Sequence, residues 1–185
     1  PVPTPVASPP RDMDALVLLR QDHDLLKQLF KDFEKLVLAR SDDAQHRAEK
    51  DEIVSRMCSE LSIHLQVEDE LFYPAVRAAI QDADVMDVAD VEHQGAMRLI
   101  RELDMMSSRE ALYDAKVTVL GGNFCRHIDE EQDVVFPKVR HSRLDTVALG
   151  KQMASLRNAL HDDASSSRKL ADPLHAVPTP GEQPV

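Results

Sequence analysis

Apolar residues recur every three or four positions along most of the chain, which is the spacing of one face of an amphipathic α-helix. The segments with this spacing are about 12–40, 44–79, 84–107 and 109–140, with a shorter one at about 145–161. Asp12 or Asp14 is expected to cap the first helix, and Pro74 and Pro137 are expected to kink the second and fourth. Long amphipathic helices joined by short loops predict an all-α fold: an up-down-up-down antiparallel four-helix bundle with an additional C-terminal helix.

Both ends of the chain are rich in proline, which cannot continue a helix. We therefore expect a disordered Pro-rich tail at 1–11 and a second disordered tail at 164–185. Between them lie the predicted bundle, at 12–141, and the predicted C-terminal helix, at 142–163.

The composition is that of a globular protein, because 43% of the 185 residues are hydrophobic and 30% are charged. A net charge of -11 argues against nucleic acid or an anionic membrane surface as the main partner, since both attract basic proteins. No stretch approaches the roughly 20 apolar residues that a membrane span needs. Two cysteines do not form a disulfide framework, and no signal peptide is visible, so we expect a cytoplasmic location. The chain begins without Met, which leaves a mature start after a removed signal open.

Each long helix carries a histidine at a position where the apolar seam is interrupted, and in two helices a glutamate follows four residues later. Residues at i and i+4 share a helix face, so each such histidine and glutamate should point together into the bundle. The first hairpin contributes His23, His64 and Glu68, and the second contributes His93, His127 and Glu131.

The two hairpins also resemble each other in detail. The segment HLQVEDELFYPAVR, from His64, aligns with HIDEEQDVVFPKVR, from His127, and the matches include the glutamate, the proline and an aromatic residue at the ninth position. These aromatic residues are Tyr73 and Phe136, and Tyr73 is expected to serve in packing because nine residues place it half a turn away from His64. An acidic residue precedes each lone histidine, Asp22 in one hairpin and Glu92 in the other.

Burial of these side chains would be costly without a compensating charge. An unpartnered buried carboxylate costs several kcal/mol, and two that lie close together repel each other. A domain with a net stability of about 5–15 kcal/mol cannot carry both. Two metal ions would compensate, and imidazole and carboxylate are the ligands of non-haem iron. The alternative is a buried network of hydrogen bonds between histidine and glutamate without metal.

We assign the histidines of the first hairpin to one iron ion and those of the second hairpin to another, with Glu68 and Glu131 as bridges at a metal separation of ~3.5–4 Å. With an oxo or hydroxo bridge, each iron would have five donors and one open position for oxygen, peroxide or nitric oxide. Asp129 or Glu130 is an alternative to Glu131, although the spacing and the repeat favour Glu131.

Other polar residues are expected to have lesser roles. Glu60 and Asn123 each precede a paired histidine by four residues and are candidates to orient the imidazoles. Cys58 and Cys125 lie near the seam and are expected to be core residues.

At these residues the chain resembles the hemerythrin-like family, also called the His-His-Glu cation-binding domain, over about residues 12–141. The resemblance implies four antiparallel helices around a non-haem di-iron centre, with the ligands at the six positions named above. Oxygen-carrying hemerythrins have a histidine four residues after the third-helix histidine, where this chain has Met97. Their fourth helix has an aspartate five residues after its histidine, whereas this chain has Glu131 four residues after His127. The four-histidine, two-glutamate set is more similar to bacterial repair-of-iron-centres proteins and related stress or iron-sensing domains.

The resemblance implies a di-iron protein that reacts with or senses oxygen, peroxide or nitric oxide in a stress response, with a small diatomic ligand or peroxide as partner. An alternative is an iron-sensing or iron-storage module without turnover, with a protein partner at the C-terminal helix. A further alternative is a zinc-bridged hydrolase, since zinc accepts the same donors. Whether the protein is an enzyme stays open at this point.

Overall fold

The computed structural model describes residues 14–41, 43–80 and 83–171, and their side chains except at 83 and 167–171. Helices and two π-helical segments make up the regular structure of these residues: α1 (Ala15–Ala39), α2 (Ala44–Val67), the first π segment (Glu68–Phe72), α3 (Tyr73–Ala79), α4 (Ala83–Asp104), α5 (Tyr113–Glu130), the second π segment (Glu131–Val135), α6 (Phe136–His141) and α7 (Thr146–Ala171). In the bundle, α1 packs against α2 and α5, and α4 also packs against both α2 and α5. The α7 helix lies outside, against α1, α2 and the first π segment. The predicted all-α bundle with an additional C-terminal helix is therefore confirmed.

The helix boundaries follow local chemistry. Asp14 caps α1, because its Oδ1 accepts a hydrogen bond of 2.9 Å from the backbone N–H of Leu16. The alternative cap, Asp12, lies outside the described residues. Asp43 caps α2 by accepting from the backbone N–H of His46 at 2.9 Å.

Each π segment begins at a site glutamate and ends before the residue that precedes a proline. The backbone N–H of Tyr73 donates to the carbonyl of Glu68, and that of Phe136 donates to the carbonyl of Glu131, both across five residues. A proline ring clashes with the carbonyl four residues earlier, and a wider turn relieves this clash. The expected kinks at Pro74 and Pro137 thus take the form of π turns, after which the helix continues.

Some boundaries differ from the predicted ones. The α5 helix begins at Tyr113 and not near 109, because Leu112 has a left-handed backbone with φ of 71°. The α7 helix extends to Ala171, beyond the predicted end of the C-terminal helix at 163, so the first part of the expected tail is helical. The expected tail at 1–11, and the part of the second tail from 172 onward, lie outside the described residues.

The apolar core consists of two clusters with a polar layer between them. Along α1, Leu19 belongs to one cluster and Leu26 to the other, and His23 lies between them. The α7 helix contributes Leu149 and Met153 to the first cluster. Both cysteines are free thiols, in agreement with the expectation of no disulfide. Among the described residues, no helix has the length and apolar content that a membrane crossing requires.

Candidate metal centre

The polar layer contains the side chains that interrupt the apolar seams. All are between 0% and 4% exposed, namely His23, His64, Glu68, His93, His127 and Glu131. These side chains meet because the last turns of α2 and α5 each carry a histidine that is followed, four residues later, by a glutamate on the same helix face. The lone histidines face these pairs from α1 and α4.

In the first half of the site, the two histidines of the first hairpin lie together. The ring centroids of His23 and His64 are 4.9 Å apart. Nε2 of His64 is 3.3 Å from Oε2 of Glu68, and Nε2 of His23 is 3.2 Å from Oε2 of Glu131. The sequence predicts this histidine pair, and the structure brings it together.

In the second half, Nε2 of His93 lies 3.2 Å from Nε2 of His127 and 3.4 Å from Oε2 of Glu68. The hydroxyl of Tyr73 lies 3.1 Å from Nε2 of His93 and 3.3 Å from Nε2 of His127. The expectation that Tyr73 only packs is therefore wrong. A π turn takes up about one more residue than an α turn, so the ninth residue after His64 has the orientation of an eighth and faces the site.

Glu68 connects the two halves. Its carboxylate belongs both to a group of possible metal-binding atoms with His23 and His64 and to a second group with His93 and His127, and within each group the atoms lie within 4.8 Å of one another. Glu131 approaches the first half through His23, and its role as a second bridge stays a prediction.

Several buried polar atoms of this layer have no hydrogen-bond partner among the described residues. They include both carboxylate oxygens of Glu68 and of Glu131, and Nε2 of His23 and His64. An unsatisfied buried polar group costs about 1–3 kcal/mol, and more when it is charged. These atoms converge on one another, which is the arrangement that bound cations would stabilise.

Electrostatics agree with this interpretation. Burial and the nearby Glu131 carboxylate raise the pKa of Glu68 well above its ordinary value. Burial opposes ionisation of Glu131 also, but the close approach of His23 and the surrounding imidazoles lower its pKa. Burial lowers the pKa of His64 to about 4, so its imidazole is neutral near pH 7, which is the form that binds a metal. Burial, Glu68 and Glu131 raise the pKa of Tyr73, and a nearby cation would reverse the effect of the two carboxylates.

The lone histidines are oriented from the opposite hairpin. Oδ1 of Asp69 is 2.7 Å from Nδ1 of His93, and Nε2 of Gln132 is 2.9 Å from Nδ1 of His23. Asp69 and Gln132 occupy equivalent places, each five residues after a paired histidine. A metal-bound imidazole donates its Nδ1–H to an acceptor, which the Asp69 carboxylate provides at His93. At His23 the Gln132 amide presents its nitrogen, because its Oε1 accepts a hydrogen bond of 3.0 Å from Nη1 of Arg20.

The paired histidines are faced by the acidic residue that precedes the lone histidine of the same hairpin. Oε2 of Glu92 is 3.0 Å from Nδ1 of His127. In the first hairpin the equivalent distance is longer, with Oδ2 of Asp22 at 3.9 Å from Nδ1 of His64. The sequence shows both acids but does not indicate which imidazole each one faces.

The family profile described as hemerythrin HHE cation binding domain matches residues 14–139 of the chain. The chain belongs to this family.

Two similar proteins place this HHE domain in context. A curated protein from Nostoc sp. named DNA nickase is 24% identical over 132 residues, which make up 71% of this chain but 35% of that protein. The chain thus spans about a third of the length of that relative. A solved structure from Mycobacterium kansasii, of a hemerythrin HHE cation binding domain-containing protein, is 23% identical with a TM-score of 0.66, and the match covers 87% of this chain and 94% of that one. This likeness shows a common fold.

Other candidates from the sequence lie away from the centre of the HHE domain. Glu60 is 3.5 Å from Nε2 of His161 on α7, and Asn123 is exposed, so neither contacts an imidazole of the site. Asp129 forms a surface ion pair with Lys27 at 3.0 Å, which removes it as an alternative to Glu131. Glu130 is exposed as well.

An open groove of about 1190 Å³ runs from solvent to the second half of the centre of the HHE domain. Tyr73 and His93 line its floor, and Gln66, Gln94 and Arg98 line its walls. Because Tyr73 and His93 are among its lining residues, the groove reaches the edge of the second half of the centre.

We expect protonation of His64 to destabilise the metal-free HHE domain as the pH falls from about 6.5 to about 4, the interval between the ordinary pKa of histidine and the pKa of buried His64, whereas protonation of Glu68 acts in the opposite direction. The lowered pKa belongs to the folded state, so the stabilisation is present above pH 6.5 and is lost as the pH falls through the folded value. The loss should approach about 3 kcal/mol. Urea unfolding of the unmodified protein and of His64→Gln at several pH values would measure this loss as the difference between the two profiles. His141→Gln, at an exposed position, should give the profile of the unmodified protein.

Proposed function

We propose that this HHE domain holds two iron ions, one at the histidines of each hairpin, and that it reacts with or senses oxygen, peroxide or nitric oxide in a stress response. The position of Glu68 carries this proposal. One carboxylate oxygen lies 4.0 Å from Nε2 of His23, and the other lies 3.3 Å from Nε2 of His64 and 3.4 Å from Nε2 of His93. A carboxylate with imidazoles on both sides is the arrangement expected of a ligand shared by two metals.

The donor set supports iron. Imidazole and carboxylate donors with open positions suit non-haem iron, which would supply redox chemistry and a binding position for a small oxygen or nitrogen ligand. The protein's own residues would fix the imidazoles. Asp69 and Glu92 accept from the Nδ1 atoms of His93 and His127, which directs the Nε2 lone pairs inward.

We also propose Tyr73 as a further protein donor to the metal in the second half, besides His93, His127 and the shared Glu68. Around an octahedral metal with bonds of about 2.1 Å, neighbouring donor atoms are about 3 Å apart. The distances of 3.1 Å and 3.3 Å from the Tyr73 hydroxyl to the two Nε2 atoms match this spacing. Phe136, at the equivalent place of the other hairpin, stacks on the His23 ring with centroids 6.1 Å apart and offers no donor. The two metals would therefore have different surroundings.

The experiment that tests the function begins with anaerobic loading of the metal-free protein with ferrous ion, followed by iron analysis. We expect two irons per chain and, after oxidation, an absorption band of oxo-to-iron charge transfer. Steady-state peroxide consumption by the loaded protein then separates an enzyme from a sensor or store. Two bound irons without turnover would reject the enzymatic version and favour the sensor or storage module, whereas failure to bind iron would reject the metal proposal.

We propose no nucleic-acid partner. The net charge of -11 opposes contact with a phosphate backbone. The similarity to the protein named DNA nickase involves 35% of that protein, which leaves most of it without a counterpart here. Retention of a labelled DNA duplex by the iron-loaded protein at low salt would contradict this proposal.

A further inference from the structure

The fourth imidazole of the centre is held differently from the other three. His23, His93 and His127 each have a side-chain partner within 3.0 Å of Nδ1. Nδ1 of His64 is buried without a hydrogen-bond partner among the described residues, and the nearest carboxylate oxygen, on Asp22, is 3.9 Å away. The orientation of His64 therefore depends on what holds Asp22 and on what lies between the two side chains.

Asp22 is held by the C-terminal helix. Nη1 of Arg157, on α7, donates to Oδ1 of Asp22 at 2.5 Å, and the two side chains are 27% and 13% exposed. The equivalent acid of the second hairpin, Glu92, pairs instead with Arg126 at 2.9 Å, and that arginine is 63% exposed and belongs to the bundle itself. Only in the first hairpin, among the described residues, does this arginine come from outside the bundle.

A small cavity lies at this junction. Its volume is about 10 Å³, and its polar lining includes Asp22, Glu60, His64, Arg157 and His161. That volume is close to the space one water molecule occupies, and a buried water needs two to four polar partners. Two lining residues have a buried nitrogen without a hydrogen-bond partner, Nδ1 of His64 and Nε of Arg157. A water in this cavity would accept from these two nitrogens and donate to Oδ2 of Asp22, which lies 3.9 Å from Nδ1 of His64.

We propose that α7 helps to orient a ligand of the metal centre. Its Arg157 is a positioning residue that holds Asp22 and a bridging water against His64. This inference rests on the proposed metal binding. It makes metal binding in the first half and docking of α7 mutually stabilising, because coupling between two binding events is reciprocal. The imidazoles of the second half are oriented by Asp69 and Glu92, which belong to the bundle and not to α7, so the effect of α7 should concentrate on the first half. How tightly α7 docks on the bundle therefore depends on whether the metal position of the first half is occupied.

The docking of α7 has other supports, so loss of one ion pair should not unfold the domain. Leu149 and Met153 are buried against the bundle, and the Thr146 hydroxyl donates to Asp14 at the start of α1. His161 adds a contact with Glu60 at the other end of the cavity. A substitution of Arg157 should therefore alter the orientation of His64 while the helix remains folded.

The test compares Arg157→Met with Arg126→Met, which removes the equivalent arginine of the second hairpin. Stepwise metal titration of each metal-free variant would measure the affinity at each of the two positions. We expect Arg157→Met to weaken one of the two metals by about 10- to 100-fold and leave the other within about twofold, as is usual when an outer partner of a ligand is lost. Arg126→Met should leave both affinities within about twofold, because its arginine is mostly exposed.

A second measurement follows α7 directly. Hydrogen exchange of the α7 backbone should slow on metal loading in the unmodified protein, and this protection should be reduced in Arg157→Met. The double variant Asp22→Asn with Arg157→Met should bind metal no more weakly than Asp22→Asn alone, because both changes act on one contact. Equal affinities in Arg157→Met and the unmodified protein, or exchange of α7 that does not respond to metal, would overturn the inference. Absence of metal binding by the unmodified protein would instead reject the proposed function.

Discussion

Glu68→Gln is expected to abolish the binding of a metal pair. Its carboxylate is the group that faces imidazoles of both halves, at 3.3 Å from Nε2 of His64 and 3.4 Å from Nε2 of His93. A neutral amide supplies one weak oxygen donor and cannot bridge two cations. We expect iron analysis to give at most one iron per chain, and the rise in melting temperature on iron loading to be mostly lost, since a ligand stabilises the folded state only as far as it binds.

The same substitution should make the metal-free protein more stable at pH 7. The folded pKa of Glu68 is raised, so its stabilising contribution is full below the ordinary value of 4.5 and is lost as the pH rises above it. Glutamine has no such penalty. Glu70→Gln is the matched control, because Glu70 is exposed and accepts a hydrogen bond from the surface residue Gln66. Two irons bound at unchanged affinity in Glu68→Gln would contradict the bridging role.

Tyr73→Phe is expected to remove a visible absorption band from the oxidised iron protein. A phenolate bound to ferric iron gives a charge-transfer transition, and the Tyr73 hydroxyl is within 3.3 Å of both imidazole nitrogens of the second half. Metal would also lower the pKa of this phenol, which burial and the two carboxylates otherwise raise. Loss of a donor should weaken one of the two metals and spare the other, and a titration followed by absorption would measure both effects.

The chain provides a close control for this experiment, because it contains two tyrosines. The other, Tyr113, is also buried but belongs to the apolar cluster that contains Leu26, away from the polar layer. Tyr113→Phe should therefore keep the band. A band that survives in Tyr73→Phe, or that is missing from the unmodified protein, would show that Tyr73 acts only through hydrogen bonds to the histidines.

The fold and the inward side chains were predictable because burial leaves a periodic trace in the sequence. A position where an apolar seam is interrupted by histidine or glutamate must face the same interior as the seam itself. This reasoning identifies His23 and His93, which lie on different helices and share no local motif, and the structure buries both of them. Whether they bind metal remains a prediction.

Tyr73 was missed for a definite physical reason. The prediction assumed a regular α-helix from His64 to Tyr73, with a rotation of about 100° per residue. The first π segment lies between these two residues and changes the direction in which Tyr73 points. The proline that follows Tyr73 was visible, but it indicates a disturbance of the helix without specifying a kink or a wider turn. The equivalent arrangement at Phe136 shows that the repeat encodes the same wider turn twice.

The partners of the Nδ1 atoms were also beyond sequence reasoning. Glu60 and Asn123 were expected in this role from their spacing within one helix, whereas Asp69 and Gln132 reach across to the opposite hairpin. Such contacts depend on how helices are rotated and staggered against each other, which periodicity does not determine. The link from Arg157 to Asp22 requires in addition the position of α7, whose docking the sequence left unspecified.

The wider turns have a consequence for how such a centre can change over time. Residues before each π turn keep their angular positions on the helix when the residues after the turn change. His64 and Glu68 therefore face the centre independently of the sequence that follows Glu68. Loss of a single residue between Glu68 and Tyr73 would turn the π turn into an ordinary α turn, and the phenol, then the eighth residue after His64, would still face the centre. The extra residue therefore does not by itself decide whether a donor is present, and the two hairpins, which have the same spacer, differ instead by a substitution that places a phenol at Tyr73 and a phenyl ring at Phe136.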